Sequence, residues 1–171
     1  MSLAGSDAKS NEPGFNGAAG LGRFASELTP TEVGTMIGPP SCLRLRILVI
    51  DDYPDAADSL RVLLRLWGHE VQIAYTGQQA LTLAQEFKPH VILLDIQMPF
   101  LHGGDVAQRL RQQPEFKSTL FVATTAAAQD DDRLAAFLPH FDHYLHKPFD
   151  LTKLERLLIS HVQKLREQMG A

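Results

Sequence analysis

A single cysteine, Cys42, stands in the whole chain of 171 residues. It excludes an internal disulfide framework and any multi-cysteine zinc site, and it points to a reducing compartment. Long apolar runs are also missing. Stretches such as Ile47 to Ile50 and Val91 to Leu94 are far too short to span a bilayer. Residues 1–20 hold no hydrophobic signal core. There is no excess of positive charge either: 16 basic against 20 acidic side chains leave a net charge of −4. A general nucleic-acid binder usually carries a basic face, so no nucleic-acid partner and no membrane are expected. These absences describe a soluble, cytoplasmic chain whose length suits one domain of about 100–150 residues with a remainder.

The remainder lies at the front. Residues 1–43 hold 7 of the 12 glycines and 4 of the 10 prolines, with few large apolar side chains in register. Such a stretch cannot bury enough surface to offset its ordering entropy, so it reads as a flexible tail or linker with at most a short helical turn around Thr31 to Met36. Gly17, Gly20 and Gly22 match neither a dinucleotide nor a phosphate-loop spacing, and no strand precedes them. The opening Met1-Ser2-Leu3 looks like an expression scar, which would make the chain an excised segment. The expected division is 1–43 tail, 44–168 folded domain and 169–171 C-terminal end.

From Leu45 the pattern turns regular. Leu45 to Ile50 reads as a strand buried on both faces. Ala56, Leu60, Leu63, Leu64 and Trp67 recur at helical spacing, and Gly68 ends that helix. Val71 to Ala74 is a second strand. Thr76 and Gln79 form a capping box ahead of Ala80, Ala84 and Phe87, and Pro89 closes the helix they open. Val91 to Leu94 is a third strand, Gly103 to Gln113 a helix stopped by Pro114, and Leu120 to Thr124 a fourth strand. A helix over 130–138 opens on three aspartates, Asp142 to His146 makes a short fifth strand, and Asp150 caps a last helix with Leu154, Leu158, Val162 and Leu165. Five strands alternating with five helices imply an α/β fold with a parallel sheet covered on both faces. Ligands of such sheets bind beyond the carboxyl ends of the strands.

Those ends carry the chemistry. The first strand runs into Asp51-Asp52, the third into Asp95, the fourth into Thr124-Thr125 and the fifth into Lys147-Pro148. Two carboxylates about 5 Å apart repel by about 3 kcal/mol at an effective dielectric of 20. A fold gains nothing from that, so either a carboxyl titrates upward or a cation sits among them. An all-oxygen set without His or Cys suits a hard divalent ion, and an incomplete cage suits Mg²⁺. One Asp after a strand is ordinarily a helix cap, and one Lys-Pro is ordinary turn chemistry; the joint placement is what points to a site.

The pieces Ile50-Asp51-Asp52, Asp95-Ile96-Gln97-Met98-Pro99 with Gly103, Ala123-Thr124-Thr125-Ala126 and Tyr144-Leu145-His146-Lys147-Pro148-Phe149 resemble the receiver domain of two-component response regulators over about residues 44–168. The resemblance implies the flavodoxin-like strand order 2-1-3-4-5, for which a chemotaxis member of this family is a standing example. It implies Asp95 as phosphoacceptor from a histidine kinase or histidine phosphotransfer protein. It further implies Mg²⁺ held by Asp52, Asp95 and the Gln97 carbonyl, with Asp51 acting partly through water. Lys147 would pair with Asp95 and later with the phosphoryl group, across a cis Lys147–Pro148 bond. Thr125 and Tyr144 would form the switch, and the chain would be no ordinary enzyme but a domain that assists its own phosphorylation, monomeric or dimerising on phosphorylation. Two positions depart from the family: His102 replaces a common Asp, and Leu138-Pro139-His140-Phe141 replaces a small glycine turn. Gln97 and Ala127 occupy positions that tune phosphate lifetime in the family.

Other readings compete. A haloacid-dehalogenase-like phosphatase typically needs a second Asp where Gln97 stands, and a flavin-binding relative would place hydroxyls and glycines after the first strand. A receiver segment of a hybrid histidine kinase suits the tail, and a degenerate receiver would serve only as a binding module. The last helix leaves no room within this chain for an output domain. His140, His143 and His146 are spaced so that neighbours on a strand point to opposite faces, against a zinc site. His161, beside the last helix's apolar stripe, reads as a core-edge residue.

Overall fold

A computed structural model describes residues 44–126, 137–148 and 150–170. Five parallel strands form one sheet in the order β2-β1-β3-β4-β5. They are β1 Arg46–Ile50, β2 Glu70–Ala74, β3 Val91–Asp95, β4 Leu120–Thr125 and β5 His143–His146. The helices among the described residues are α1 Pro54–Leu66, α2 Gly77–Phe87, α3 Gly103–Arg111 and α4 Leu151–Gly170, with 3-10 turns at Pro114–Phe116 and Leu138–His140. The helix expected over 130–138 falls almost entirely outside the described residues, as do Ala127 and Phe149. This is the flavodoxin-like architecture that the family resemblance implies.

Period-two alternation divides the sheet into two apolar faces. Leu48, Ile50, Ile92, Leu94, Phe121 and Ala123 point to one side, where Ala80, Ala84 and Phe87 of α2 and Val106, Ala107 and Leu110 of α3 cover them. Ile47, Val49, Val71, Leu93, Val122 and Leu145 point to the other, beneath Ala57 and Leu64 of α1 and Leu154, Leu158 and Val162 of α4. With both faces covered, the central strands are apolar throughout, which explains their uninterrupted runs.

Several boundaries differ from expectation for local reasons. The buried stripe of α1 is centred on Ala57, while Ala56 is only half-buried. Trp67 caps that helix and Gly68 follows at φ 88, a left-handed conformation open to glycine. α3 stops at Arg111, two residues early, because Pro114 opens a separate 3-10 turn that buries Phe116. β5 starts at His143, since the Asp142 side chain instead accepts from Phe121 N at 2.8 Å. At α2, Thr76 accepts from Gln79 N, but the Gln79 side chain reaches Tyr75 N, one residue ahead of the usual capping-box donor.

Candidate functional site

All five strands run the same way, so their carboxyl ends share one rim. Asp51 follows β1, Asp95 ends β3, Thr124 and Thr125 end β4, and Lys147 follows β5. Backbone bonds set their positions: Asp51 N donates to Ala74 O at 3.1 Å, Ile96 N to Thr124 O at 3.0 Å and Lys147 N to Thr125 O at 2.8 Å. Each of the two buried carboxylates divides its labour. One oxygen of Asp51 accepts from Tyr53 N at 2.9 Å, and one of Asp95 accepts from Gln97 N at 2.8 Å. Their other oxygens both accept from the Lys147 ammonium, at 2.7 Å and 2.6 Å.

Asp52 stays exposed beside this pair. One carboxylate oxygen from each of Asp51, Asp52 and Asp95 lies within 4.8 Å of the others. At that spacing an ionised pair repels by about 3 kcal/mol, and one ammonium cannot neutralise three anions. Burial pushes the Asp95 carboxyl above its ordinary range, against the pull of Lys147 and with a small push from Asp51. Burial alone would lower Lys147, but its bonds to Asp51 and Asp95 outweigh that and hold the ammonium above its ordinary value. A rim of oxygen donors with excess negative charge fits a hard divalent ion, and three carboxylates leave coordination positions for water or a phosphoryl oxygen, as Mg²⁺ prefers.

The neighbourhood of Asp95 is tightly packed. A Cβ at Gly103 would stand 2.1 Å from the Asp95 carbonyl oxygen, so only glycine allows α3 to start so close. Thr125 is buried at the end of β4, and Gln97 is exposed. Tyr144 is half-buried, meeting Phe141 edge-on at 5.9 Å. Burial, then Asp142, raises its phenol. The Lys147–Pro148 bond is cis.

Asp51, Asp52, Asp95 and Lys147 therefore meet at one point, with Thr125 on the adjoining strand end. The Lys147–Asp51 bond had no counterpart in the sequence reading, which paired the lysine with Asp95 alone. No local motif could have revealed it, because it depends on how far the ammonium reaches across β4 and β3. Of the three spaced histidines, His140 ends the 3-10 turn and is half-buried, while His143 and His146 lie on β5 and are exposed.

Comparison with known proteins agrees with this geometry. A family model described as response regulator receiver domain matches residues 47–159. Transcriptional regulatory protein PrrA of Mycobacterium leprae is 39% identical over 126 residues, covering 74% of this chain and 52% of that protein. An uncharacterized 14.6 kDa protein of Leptolyngbya boryana is 36% identical over 115 residues, 67% of this chain and 88% of that protein. The chain spans about half the length of the transcriptional regulators it matches. Among solved structures, the receiver domain of sensor histidine kinase PA1611 from Pseudomonas aeruginosa, with magnesium coordinated in its active-site cleft, aligns with a TM-score of 0.65. It is 28% identical, and the match covers 71% of this chain and 99% of that one. With the motif order, the sheet topology and the acidic rim in agreement, this chain belongs to the response regulator receiver domain family of two-component signalling.

Proposed function

We propose that this chain takes a phosphoryl group from the phosphohistidine of a histidine kinase or histidine phosphotransfer protein onto Asp95, with Mg²⁺, and thereby switches a protein-interaction surface. The observation that carries this reading is the Lys147 ammonium shared between Asp51 and Asp95, at 2.7 and 2.6 Å, beside a third carboxylate. Asp52, Asp95 and the Gln97 carbonyl are the groups that would hold the ion, with Asp51 acting partly through water. When bound, Mg²⁺ supplies the positive charge that lets a carboxylate approach an anionic phosphoryl group.

The remaining steps belong to the chain. The Asp95 oxygen forms the new O–P bond as the donor's N–P bond breaks, and that electron pair returns to the imidazole nitrogen. Lys147 transfers its bond from Asp95 to the phosphoryl oxygens while keeping Asp51. The phosphoryl group brings about −1.5 to −2 charge, enough for one to three new charge-assisted hydrogen bonds. Thr125 donates one of them by moving inward, and Tyr144 turns into the space it leaves. The change is read on the face that includes β5 and α4, by a population shift.

In this reading residues 44–168 are the receiver unit, 1–43 a linker, and the protein is cytoplasmic, as a monomer or a phosphorylation-dependent homodimer. Relatives named as DNA-binding regulators are about twice the length that this chain covers; for the receiver unit itself the proposed output is protein contact or phosphorelay to another histidine. A receiver segment of a hybrid kinase is the second reading, favoured by the likeness to the PA1611 receiver. Incubation with Mg²⁺ and a small acyl phosphate tests the central step. An alkali-labile phosphate should appear on the wild type and vanish in Asp95→Asn. No adduct on the wild type, or one retained in Asp95→Asn, overturns the proposal.

A further inference from the structure

The segment joining β3 to α3 is strained where it passes the rim. Leu101 N donates to Pro99 O at 2.8 Å, closing a γ-turn around Phe100 at φ 66. This is the rare sense of that turn, costly for a residue with a Cβ. The Phe100 ring is fully exposed and does nothing to hold it. Two anchors do. The Leu101 side chain lies where a Cβ on Gly77 would stand, 2.8 Å away.

The second anchor is His102. Its Nδ1 accepts from Gly104 N at 3.3 Å, and its carbonyl accepts from Val106 N at 3.2 Å, so it caps α3. Its ring stacks on Phe137 with centroids 4.8 Å apart and planes 23° from parallel. Gly104 lies under the same ring, where a Cβ would stand 2.1 Å from Phe137 Cγ. One residue earlier, Gly103 N donates to Ile96 O at 3.2 Å and presses on the Asp95 carbonyl. The His102–Phe137 contact thus clamps the residues that back the acceptor.

We propose that His102 is a positioning residue, clasping the 97–103 loop against Phe137 so that the Gln97 backbone and the Asp95 carboxylate are presented together to a divalent ion. This rests on the phosphoacceptor reading. Cap and stack can be separated. His102→Asn keeps a capping oxygen and loses the ring, His102→Phe keeps a ring and loses the acceptor, and His102→Ala loses both. Calorimetric titration with Mg²⁺ should give a dissociation constant raised about tenfold in His102→Ala, as for other groups that orient metal ligands. The Asn and Phe variants should fall between. Phe137→Leu should weaken Mg²⁺ comparably to His102→Asn, and the double variant no further, since both break one contact.

A cap with no positioning role would lower the melting temperature and leave the Mg²⁺ constant alone. The clasp is therefore overturned if His102→Ala, or His102→Asn should the alanine variant not fold, binds Mg²⁺ within twofold of a wild type that binds it. A wild type that binds no Mg²⁺ overturns the phosphoacceptor reading and the clasp together.

Discussion

Individual side chains differ in what their surroundings demand of them, and His69 is the clearest misfit. It is 3% exposed, and neither ring nitrogen has a hydrogen-bond partner among the described residues. Burial accordingly holds its imidazole below the ordinary range. Unpaired polar atoms in such a place cost more than the ring's packing requires. His69→Phe keeps an aromatic body and removes the nitrogens, so it should stabilise the fold by about 1–2 kcal/mol. Urea denaturation should show a higher midpoint at unchanged slope. At this scale the sequence was legible where chemistry coincides with a strand end: Asp51, Asp52, Asp95, Thr125 and Lys147 could all be located. It was opaque where a side chain's partner comes from a distant element, as with Lys147 and Asp51, or where the misfit is the lack of one, as with His69.

Elements are tied to one another by a few polar braces that periodicity does not reveal. Asp142 is the densest of them on the described β4–β5 side. Its backbone N–H donates to Phe121 O at 2.8 Å, and its Oδ2 accepts from Phe121 N at 2.8 Å and from Arg111. Arg111, the last residue of α3, also reaches His140 O at 3.1 Å and Thr119 O at 3.2 Å, and lies over the Phe121 ring at 4.1 Å. The ion pair is partly exposed and contributes little, whereas the bond to the Phe121 amide has no ready substitute. Asp142→Ala should cost about 2–3 kcal/mol by leaving that N–H unpaired, and Asp142→Asn distinctly less. Equal losses in the two variants would assign the cost to charge instead. Read from sequence, Asp142 looked like the first residue of a strand and Gln113 like the end of a helix. The apolar spacing located each element but not the side chain that takes over a ladder bond.

For the molecule as a whole, three histidines set the response to acid. His69, His90 and His161 are all held below the ordinary 6.5, chiefly by burial. His90 Nδ1 accepts from Arg46 N at 3.1 Å, and His161 Nε2 bonds the His90 carbonyl at 3.0 Å. A histidine whose folded pKa lies below its unfolded one is neutral in the fold while the unfolded chain takes up protons. Stability is then complete above about pH 6.5 and is lost as pH falls below it. Asp95, raised, works in the opposite sense, but only towards the carboxylate range. The melting temperature should stay level from about pH 7 to about 9, below the alkaline range in which Lys147 and Tyr144 titrate, and decline from about 6.5 downward. The triple variant His69→Phe, His90→Asn, His161→Gln should flatten that decline; an unchanged acid limb would mean other groups control it.

The phosphoacceptor proposal turns on one rim, where three carboxylates and an ammonium meet. A crystal structure with Mg²⁺ and beryllofluoride addresses it directly. The account predicts an ion about 2.0–2.1 Å from Asp52, Asp95 and the Gln97 carbonyl, an adduct on Asp95, and Lys147 turned from Asp95 to the adduct with Thr125 beside it. Lys147 still bonded to Asp95, with neither ion nor adduct at the rim, would contradict it.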